Sequence, residues 1–212
     1  MSIGGDSGRG GPIGIVDYGV GNLGSVRNML RRVGCEAAIV DNPTDLKACG
    51  KLVLPGVGAF DRAMDRLGAS GLRGPLDEMA LERKVPVLGI CLGMQLLTRG
   101  SEEGDRPGLG YIAAEARRFP KDGGLKVPHM GWNAVTAPNP SPLTAHFEPD
   151  TRFYFVHSYF VTADDEADSM LKCTYGVTFD AAIMHGNIYG AQFHPEKSHR
   201  FGKALFAAFG AL

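Results

Sequence analysis

From Ile13 onward, short apolar runs alternate with segments in which apolar residues recur every three or four positions. The first half reads IGIVD, NLGSVRNMLRRVG, EAAIV, a helical segment after Asn42, and KLVLPG. Short apolar runs indicate strands, whereas the longer period indicates helices. Strands that alternate with helices form βαβ units with a parallel sheet, so the first half predicts an α/β fold.

The middle of the chain continues this alternation. Gly34 follows two arginines, as expected where a helix ends. A helical segment is predicted near Ala59 to Lys84, and VPVLGI follows it as a fully apolar, buried strand. CLGMQLLTRG comes directly after that strand and is predicted to be a helix.

The second half has a different pattern, because Gly, Pro and aromatic residues interrupt it. The runs FYFVHSYFVTA and AAIMHGNIYGAQFH predict antiparallel or mixed strands, and FGKALFAAFGAL predicts a closing amphipathic helix. At the other end, residues 1–12 contain five glycines and few residues to bury. We therefore expect a disordered tail over 1–12 and a single domain over 13–212.

Composition narrows the classes of partner. The chain has 212 residues, is 44% hydrophobic and carries a formal charge of -1, so it has no basic excess for nucleic acid or an anionic membrane. No apolar run reaches the roughly 20 residues that span a bilayer, and the N-terminus lacks the apolar stretch of a secretory signal. We expect a cytoplasmic protein with a small neutral substrate.

The cysteines are scattered and form no CxxC pair, at Cys35, Cys49, Cys91 and Cys173. This spacing favours neither a zinc site nor a disulfide framework, so we expect no metal and no cofactor. Cys91 differs from the others, because it lies where a predicted strand meets a predicted helix, with Gly89 and Gly93 two positions to either side. Such a turn exposes a nucleophile, and the helix N-terminus favours its thiolate.

In this arrangement the backbone N–H of Leu92 faces the oxyanion that forms during attack. The alternative is that Cys91 is a small buried hydrophobic residue, which is the interpretation we adopt for the other three cysteines. A second loop, Pro55-Gly56-Val57-Gly58, ends another predicted strand and could supply further oxyanion donors. It could equally be an ordinary strand-to-helix turn.

A thiolate nucleophile needs a general base, and the base needs a group that fixes its tautomer. An apolar run ends in His194-Pro195-Glu196, where Pro195 predicts an extended segment with His194 and Glu196 on one side. The remaining histidines lack this context and are expected to be surface or core residues: His129, His146, His157, His185 and His199.

A rival hypothesis comes from Gly19-Val20-Gly21-Asn22-Leu23-Gly24, which matches GxGxxG between a predicted strand and helix. Asp41 follows at the end of the next strand, as in a dinucleotide-binding site. This hypothesis predicts a nicotinamide or flavin enzyme. It leaves Cys91, His194 and Glu196 unexplained, and the remaining chain is short for a separate substrate domain.

The strings GICLGMQ, PGVGAF and QFHPEKS resemble class I glutamine amidotransferases, and the similarity extends from about Ile13 to the C-terminus. The resemblance implies a flavodoxin-like three-layer sandwich, with a mostly parallel central sheet, helices on both faces and extra antiparallel strands in the second half. It also implies glutamine hydrolysis, with Cys91 as nucleophile, His194 as base and Glu196 as its orienting group.

Within that class, DYGVGNLGSV, PHMGWN and YFVHSY are similar to the glutaminase subunits of imidazole glycerol phosphate synthase, in histidine biosynthesis. The similarity implies that substrate is held by Gln95, Glu103 and the backbone of His157, Ser158 and Tyr159. It implies that a cyclase subunit uses the ammonia and that the loop at Val57 is misaligned until this partner binds. Candidate interface residues are Met130, Trp132, Asn133 and Lys197.

Two alternatives remain within this resemblance. Trp132 could be a core residue instead of part of an interface. The chain could also be a degenerate amidotransferase that only binds its partner, although the intact Cys91, His194 and Glu196 argue against this.

Overall fold

The computed structural model describes residues 11–120 and 124–212. Its strands are β1 (Ile13–Val16), β2 (Ala37–Val40), β3 (Lys51–Gly56), β4 (Val87–Cys91), β5 (Ala114–Arg118), β6 (His129–Ala134), β7 (Arg152–His157), β8 (Tyr159–Ala163), β9 (Ser169–Tyr175), β10 (Val177–His185) and β11 (Ile188–Ala191). Its helices are α1 (Leu23–Arg32), α2 (Pro43–Lys47), α3 (Phe60–Ala69), α4 (Arg73–Asp77), α5 (Leu92–Leu96) and α6 (His199–Ala211).

Most of the strands form one mixed sheet. Strands β2, β1, β3, β4 and β11 are parallel in that order, and β10, β8 and β5 continue the sheet with antiparallel pairing. Strand β9 pairs with β10, and β6 pairs with β7 in a separate antiparallel sheet. Parallel strands in the first half are confirmed, and so are mixed strands in the second, because β11 pairs parallel with β4 and antiparallel with β10.

Helices cover both faces of the main sheet. On one face, α1 and α6 pack on residues such as Ile15 and Val53. On the other, α2 to α5 pack on residues such as Leu52 and Leu54. Because successive side chains of a strand point to opposite faces, the apolar run of β3 supplies both layers. The flavodoxin-like three-layer sandwich is confirmed.

Some predicted elements are shorter than expected. The helical segment near Ala59 to Lys84 is broken after α3, where Gly71 has a φ of +74°, and α4 continues into a π-helical turn over Glu78–Glu82. Helix α5 ends at Leu96. The carbonyl of Leu96 accepts a hydrogen bond of 2.7 Å from the N–H of Leu109, where a continuing helix would have bonded it to its own next turn. The end of α5 therefore involves a segment that lies further along the chain, at Leu109.

The run FYFVHSYFVTA is also divided, at Ser158, into β7 and β8, which belong to different sheets. Most of the predicted tail, residues 1–10, lies outside the described residues. Among the helices that are described, none has the length and apolar character needed to cross a membrane.

Candidate active site

The turn that carries Cys91 is sharp. Strand β4 ends at Cys91 and α5 starts at the next residue, with a φ of +55° at Cys91, in the left-handed region that side chains rarely adopt. Gly93 lies under this turn, where a Cβ would overlap the carbonyl oxygen of Leu54. A strained, crowded turn at a nucleophile is typical of an enzyme active site.

His194 and Glu196 lie between β11 and α6. Nδ1 of His194 is 2.8 Å from Oε1 of Glu196, and both side chains are buried. The predicted extended segment is wrong beyond His194, because Pro195–Lys197 forms one turn of 3₁₀-helix. That turn brings the carboxylate back to the imidazole. Oε2 of Glu196 is buried and has no hydrogen-bond partner among the described residues.

Cys91 and His194 line the same cavity, and the thiol is near enough to influence the pKa of the imidazole. Burial disfavours the charged ring and is the largest single influence on its pKa, but Cys91 and Glu196 together outweigh it. The net effect raises the pKa of His194 to about 9. At neutral pH the imidazole is therefore protonated, with the Cys91 and Glu196 side chains as its neighbours.

Two further groups surround the sulfur. The carbonyl oxygen of Val156 lies 3.8 Å from Sγ of Cys91, and Nε2 of Gln192 lies 3.9 Å away. Gln192 is fully buried. Neither was predicted. Gln192 directly precedes the FHPE string, and a buried glutamine in an apolar strand is the signal that could have identified it.

A cavity of about 350 Å³ opens above the sulfur. Its volume suits a small-molecule ligand. Most of the predicted site residues line it: Val57, Gly58, Cys91, Leu92, Gln95, Glu103, His157, Ser158, Tyr159, His194 and Lys197. Pro128 and Val156 also line it and were not predicted as site residues. The structure thus brings together residues from six separate segments of the chain.

The other predicted residues lie outside the cavity wall. Glu196 is behind His194, and Gly56 is packed so closely on Gly93 that a Cβ there would lie 2.8 Å from its backbone nitrogen. Met130 and Trp132 are 62% and 44% exposed on the outer side of β6, so Trp132 is not a core residue. Its ring stacks on His199, with centroids 5.6 Å apart.

The loop after β3 is supported by the glycine-rich segment that matches GxGxxG. Tyr18 donates a hydrogen bond of 2.7 Å from Oη to the carbonyl of Pro55. Gly21, with a φ of +107°, lies so close that a Cβ would be 3.2 Å from the ring of Pro55. Gly58 has a φ of +99°, and Val57 is 45% exposed at the cavity mouth. The glycine-rich segment therefore contacts the predicted oxyanion loop directly.

Two further polar side chains, Gln95 and Glu103, belong to the cavity wall. Gln95 is buried and donates from Nε2 to the carbonyl of Tyr159 and to Oε1 of Gln192, each at 3.1 Å. Glu103 accepts a hydrogen bond of 2.9 Å from the backbone N–H of Phe60 through Oε2. The cavity wall therefore includes an amide and a carboxylate besides the thiol and the imidazole.

His157 is held by a second histidine that was expected to be structural. Nδ1 of His157 lies 2.8 Å from the carbonyl of Tyr159, and its Nε2 lies 2.9 Å from Nδ1 of His129. Burial lowers the pKa of His129 to about 4 and that of His157 to about 3. Asn133, predicted as an interface residue, instead has its amide 3.1 Å from Nε2 of His129.

The described residues contain no group of three or more His, Cys, Asp or Glu side chains that could hold a metal ion. All four cysteines are free.

Comparison with known proteins gives a consistent result. The family model described as glutamine amidotransferase class-I matches residues 14–210. Imidazole glycerol phosphate synthase subunit HisH 2 of Pseudomonas aeruginosa is 49% identical over 93% of this chain and 98% of its own length. The subunit HisH of Leptospira interrogans is 44% identical over 94% of this chain and 100% of its own.

Solved structures are similar at the level of the fold. A putative GMP synthase component from Thermoplasma acidophilum has a TM-score of 0.72 and 22% identity, covering 96% of this chain and 94% of its own. The structure of PurLQS from Thermotoga maritima has a TM-score of 0.71 and 21% identity, covering 95% and 98%.

Proposed function

The chain belongs to the class-I glutamine amidotransferase family, and we propose that it is the glutaminase subunit of an imidazole glycerol phosphate synthase. It hydrolyses L-glutamine to glutamate and ammonia and delivers the ammonia to a cyclase subunit. The cyclase makes imidazole glycerol phosphate and an aminoimidazole carboxamide ribotide in cytoplasmic histidine biosynthesis. The observation that carries the proposal is the buried pair of Cys91 and His194 in the wall of one cavity, with Glu196 behind His194.

In the first step, the Cys91 thiolate attacks the side-chain amide carbon of glutamine. The negative charge moves to the amide oxygen, where the N–H of Leu92 and the loop at Val57 stabilise it. Protonated His194 then gives its proton to the leaving nitrogen as the C–N bond breaks. The products are a thioester on Cys91, ammonia and a neutral imidazole.

In the second step, water attacks the thioester. Neutral His194 removes a proton from this water, and the C–S bond breaks as the new carboxyl group forms. Glutamate leaves, and the thiolate and imidazolium are restored. Glu196 keeps the ring oriented through Nδ1 and stabilises its positive charge in both steps.

The cavity also suits the α-amino and α-carboxylate groups of glutamine. Glu103 carries the negative charge that an ammonium group requires. Both N–H groups of the Gln95 amide are used within the protein, which leaves its Oε1 as the acceptor for that ammonium. Backbone groups of His157, Ser158 and Tyr159 hold the α-carboxylate.

A partner is needed because ammonia in bulk water is protonated and is then no longer a nucleophile. We place the cyclase subunit on the outer face of β6, where Met130 and Trp132 are exposed. Lys197, in the cavity wall, is the further interface residue that we propose, whereas the amide of Asn133 faces inward to His129. Binding there realigns the loop at Val57. The names of the relatives from Pseudomonas aeruginosa and Leptospira interrogans support this heterodimer.

The test is a glutaminase assay of the full chain, alone and with a cyclase subunit. We expect glutamate release that the partner increases, and loss of at least about 10⁴-fold in Cys91→Ala. Cys35→Ala is the matched control. Cys35 is half-buried, distant from Cys91 in the sequence, and packs on the face of the sheet that α6 covers.

Unchanged activity in Cys91→Ala would remove the proposed nucleophile. If the wild-type chain hydrolyses no glutamine with its partner present, the chain is a degenerate amidotransferase. Thermal stabilisation by NAD or FAD, but not by glutamine, would favour the dinucleotide enzyme instead.

A further inference from the structure

A row of hydrogen-bonded groups leads from β6 to the substrate cavity. The amide of Asn133 contacts Nε2 of His129 at 3.1 Å, Nδ1 of His129 contacts Nε2 of His157 at 2.9 Å, and Nδ1 of His157 contacts the carbonyl of Tyr159 at 2.8 Å. His129 and His157 lie directly opposite each other in the antiparallel pair of β6 and β7. Strand pairing therefore fixes the row in place.

The direction of every bond in the row follows from its last member. A carbonyl oxygen can only accept, so Nδ1 of His157 carries a hydrogen. For a neutral ring, Nε2 of His157 must then accept from Nδ1–H of His129, and Nε2 of His129 must accept from the amide N–H of Asn133. Both rings take the same Nδ1–H tautomer, and every bond has one donor and one acceptor.

Both rings lie in an apolar environment that favours this neutral state. His129 and His157 are 2% and 5% exposed. The His129 ring is stacked between Phe155 and Tyr175, with centroid distances of 4.8 and 4.1 Å. In the described part of the chain, neither ring has an acidic partner. Since nothing compensates a positive charge there, the rings stay neutral.

The row ends on an atom that also orients a substrate-binding side chain. The carbonyl of Tyr159 accepts from His157 and from Nε2 of Gln95, so both of its lone pairs are used. The other N–H of Gln95 is taken by Gln192. Fixing this carbonyl therefore fixes which way the Gln95 amide faces.

We propose that His129 is a positioning residue for substrate: through His157 and the carbonyl of Tyr159, it holds the Gln95 amide with Oε1 directed at the α-ammonium group of glutamine. This inference rests on the proposed function, because it takes glutamine as the ligand. His129 lies outside the cavity wall and touches no reacting atom, so it acts on binding and not on the chemical step.

Two variants of similar size separate this role from simple packing. His129→Asn keeps a donor near the position of Nδ1. His129→Leu has the same branched shape as the asparagine variant but no donor. We expect His129→Leu to raise KM for glutamine about tenfold with kcat changed less than about threefold. We expect KM of His129→Asn to stay within about threefold of wild type. The assay uses the full chain with the cyclase subunit.

Equal KM values for the Leu and Asn variants, in a chain whose wild type is active, overturn the inference and leave the proposed function intact. A wild type with no glutaminase activity removes both. If His129→Leu fails to fold, the wild type still provides a test. Two-bond ¹H–¹⁵N spectra assign each ring tautomer. Nδ1–H at both rings supports the row, and Nε2–H at either ring contradicts it.

Discussion

The molecule has two neighbouring buried sites that contain histidine, and the histidines of the two sites differ in their charge. The proposed triad consists of Cys91, His194 and Glu196, and the histidine pair consists of His129 and His157. His194 is 4% exposed and the pair 2% and 5%, so burial does not distinguish them. Yet the pKa of His194 rises to about 9, whereas those of the pair fall to about 4 and about 3.

The difference lies in the partner of each ring. His194 faces a carboxylate at 2.8 Å on one side and the Cys91 thiol on the other, and both favour the imidazolium. His157 faces a backbone carbonyl and another imidazole, which do not compensate the loss of hydration. Burial removes water in both places, and only a negative partner makes a buried histidine a proton carrier. The fixed neutral rings serve better as rigid hydrogen-bonding groups.

Within this comparison of buried histidines, the largest effect is expected when the negative partner of His194 is removed. Glu196→Gln keeps the shape of the side chain but removes its charge, so the imidazolium loses its stabilising partner and its tautomer is no longer fixed. We expect kcat for glutamine hydrolysis to fall about 10²- to 10⁴-fold. Steady-state kinetics with the cyclase subunit present measure this.

The matched control is Asp168→Asn, because Asp168 also pairs with a histidine. Nδ1 of His185 lies 3.0 Å from this carboxylate, but His185 is mostly exposed and far from the cavity. We expect unchanged kcat in Asp168→Asn. If Glu196→Gln stays within about threefold of wild type, the carboxylate does not determine the function of His194.

The positions of Cys91, His194 and Glu196 could be predicted from the sequence, because each part of the proposed triad has a local signal. Glycines at positions 89 and 93 indicate the turn at Cys91. The His-Pro-Glu string distinguishes His194 from the other histidines as a candidate base. The 3₁₀ turn at Pro195–Lys197 could not be predicted, because it depends on packing after β11. The extended segment predicted from Pro195 alone is therefore wrong, although the contact between imidazole and carboxylate is present.

The histidine pair has no such local signal. His129 and His157 are 28 residues apart and meet only because β6 and β7 pair in one register. The sequence pattern also does not predict that β7 and β8 belong to different sheets, because FYFVHSYFVTA is one continuous run with a strand pattern. A hint exists in PHMGWN, where alternation puts His129 and Asn133 inward and Met130 and Trp132 outward.

The second prediction concerns stability below neutral pH. The unfolded chain protonates His129 near pH 6.5, whereas the folded chain does so only near pH 4, so its contribution is complete above 6.5 and is lost as the pH falls towards 4. His157 acts in the same direction. His194 acts oppositely, because its stabilising contribution is present below 6.5 and is lost as the pH rises through about 9.

His129→Asn isolates one part of the acid effect, because asparagine does not titrate. Between pH 8 and pH 5, we expect wild type to lose about 2 kcal/mol more of its free energy of unfolding than the variant does. Urea unfolding at the two pH values measures this difference. Parallel losses in both proteins would mean that His129 is protonated in the folded state, against the contrast drawn with His194.

The smallest expected effect comes from opening the apolar enclosure of the pair. The Tyr175 ring stacks on His129 at 4.1 Å, and its hydroxyl donates to the carbonyl of Lys126 at 2.7 Å. Tyr175→Leu removes the ring, so we expect a loss of about 1 kcal/mol in the free energy of unfolding and a rise in the pKa of His129 as water reaches it. Tyr175→Phe keeps the ring and should keep that pKa low. NMR titration of the histidine ring in the two variants decides the point: a pKa that stays low in both would assign the neutral state to the hydrogen bonds of the row, and not to the covering ring.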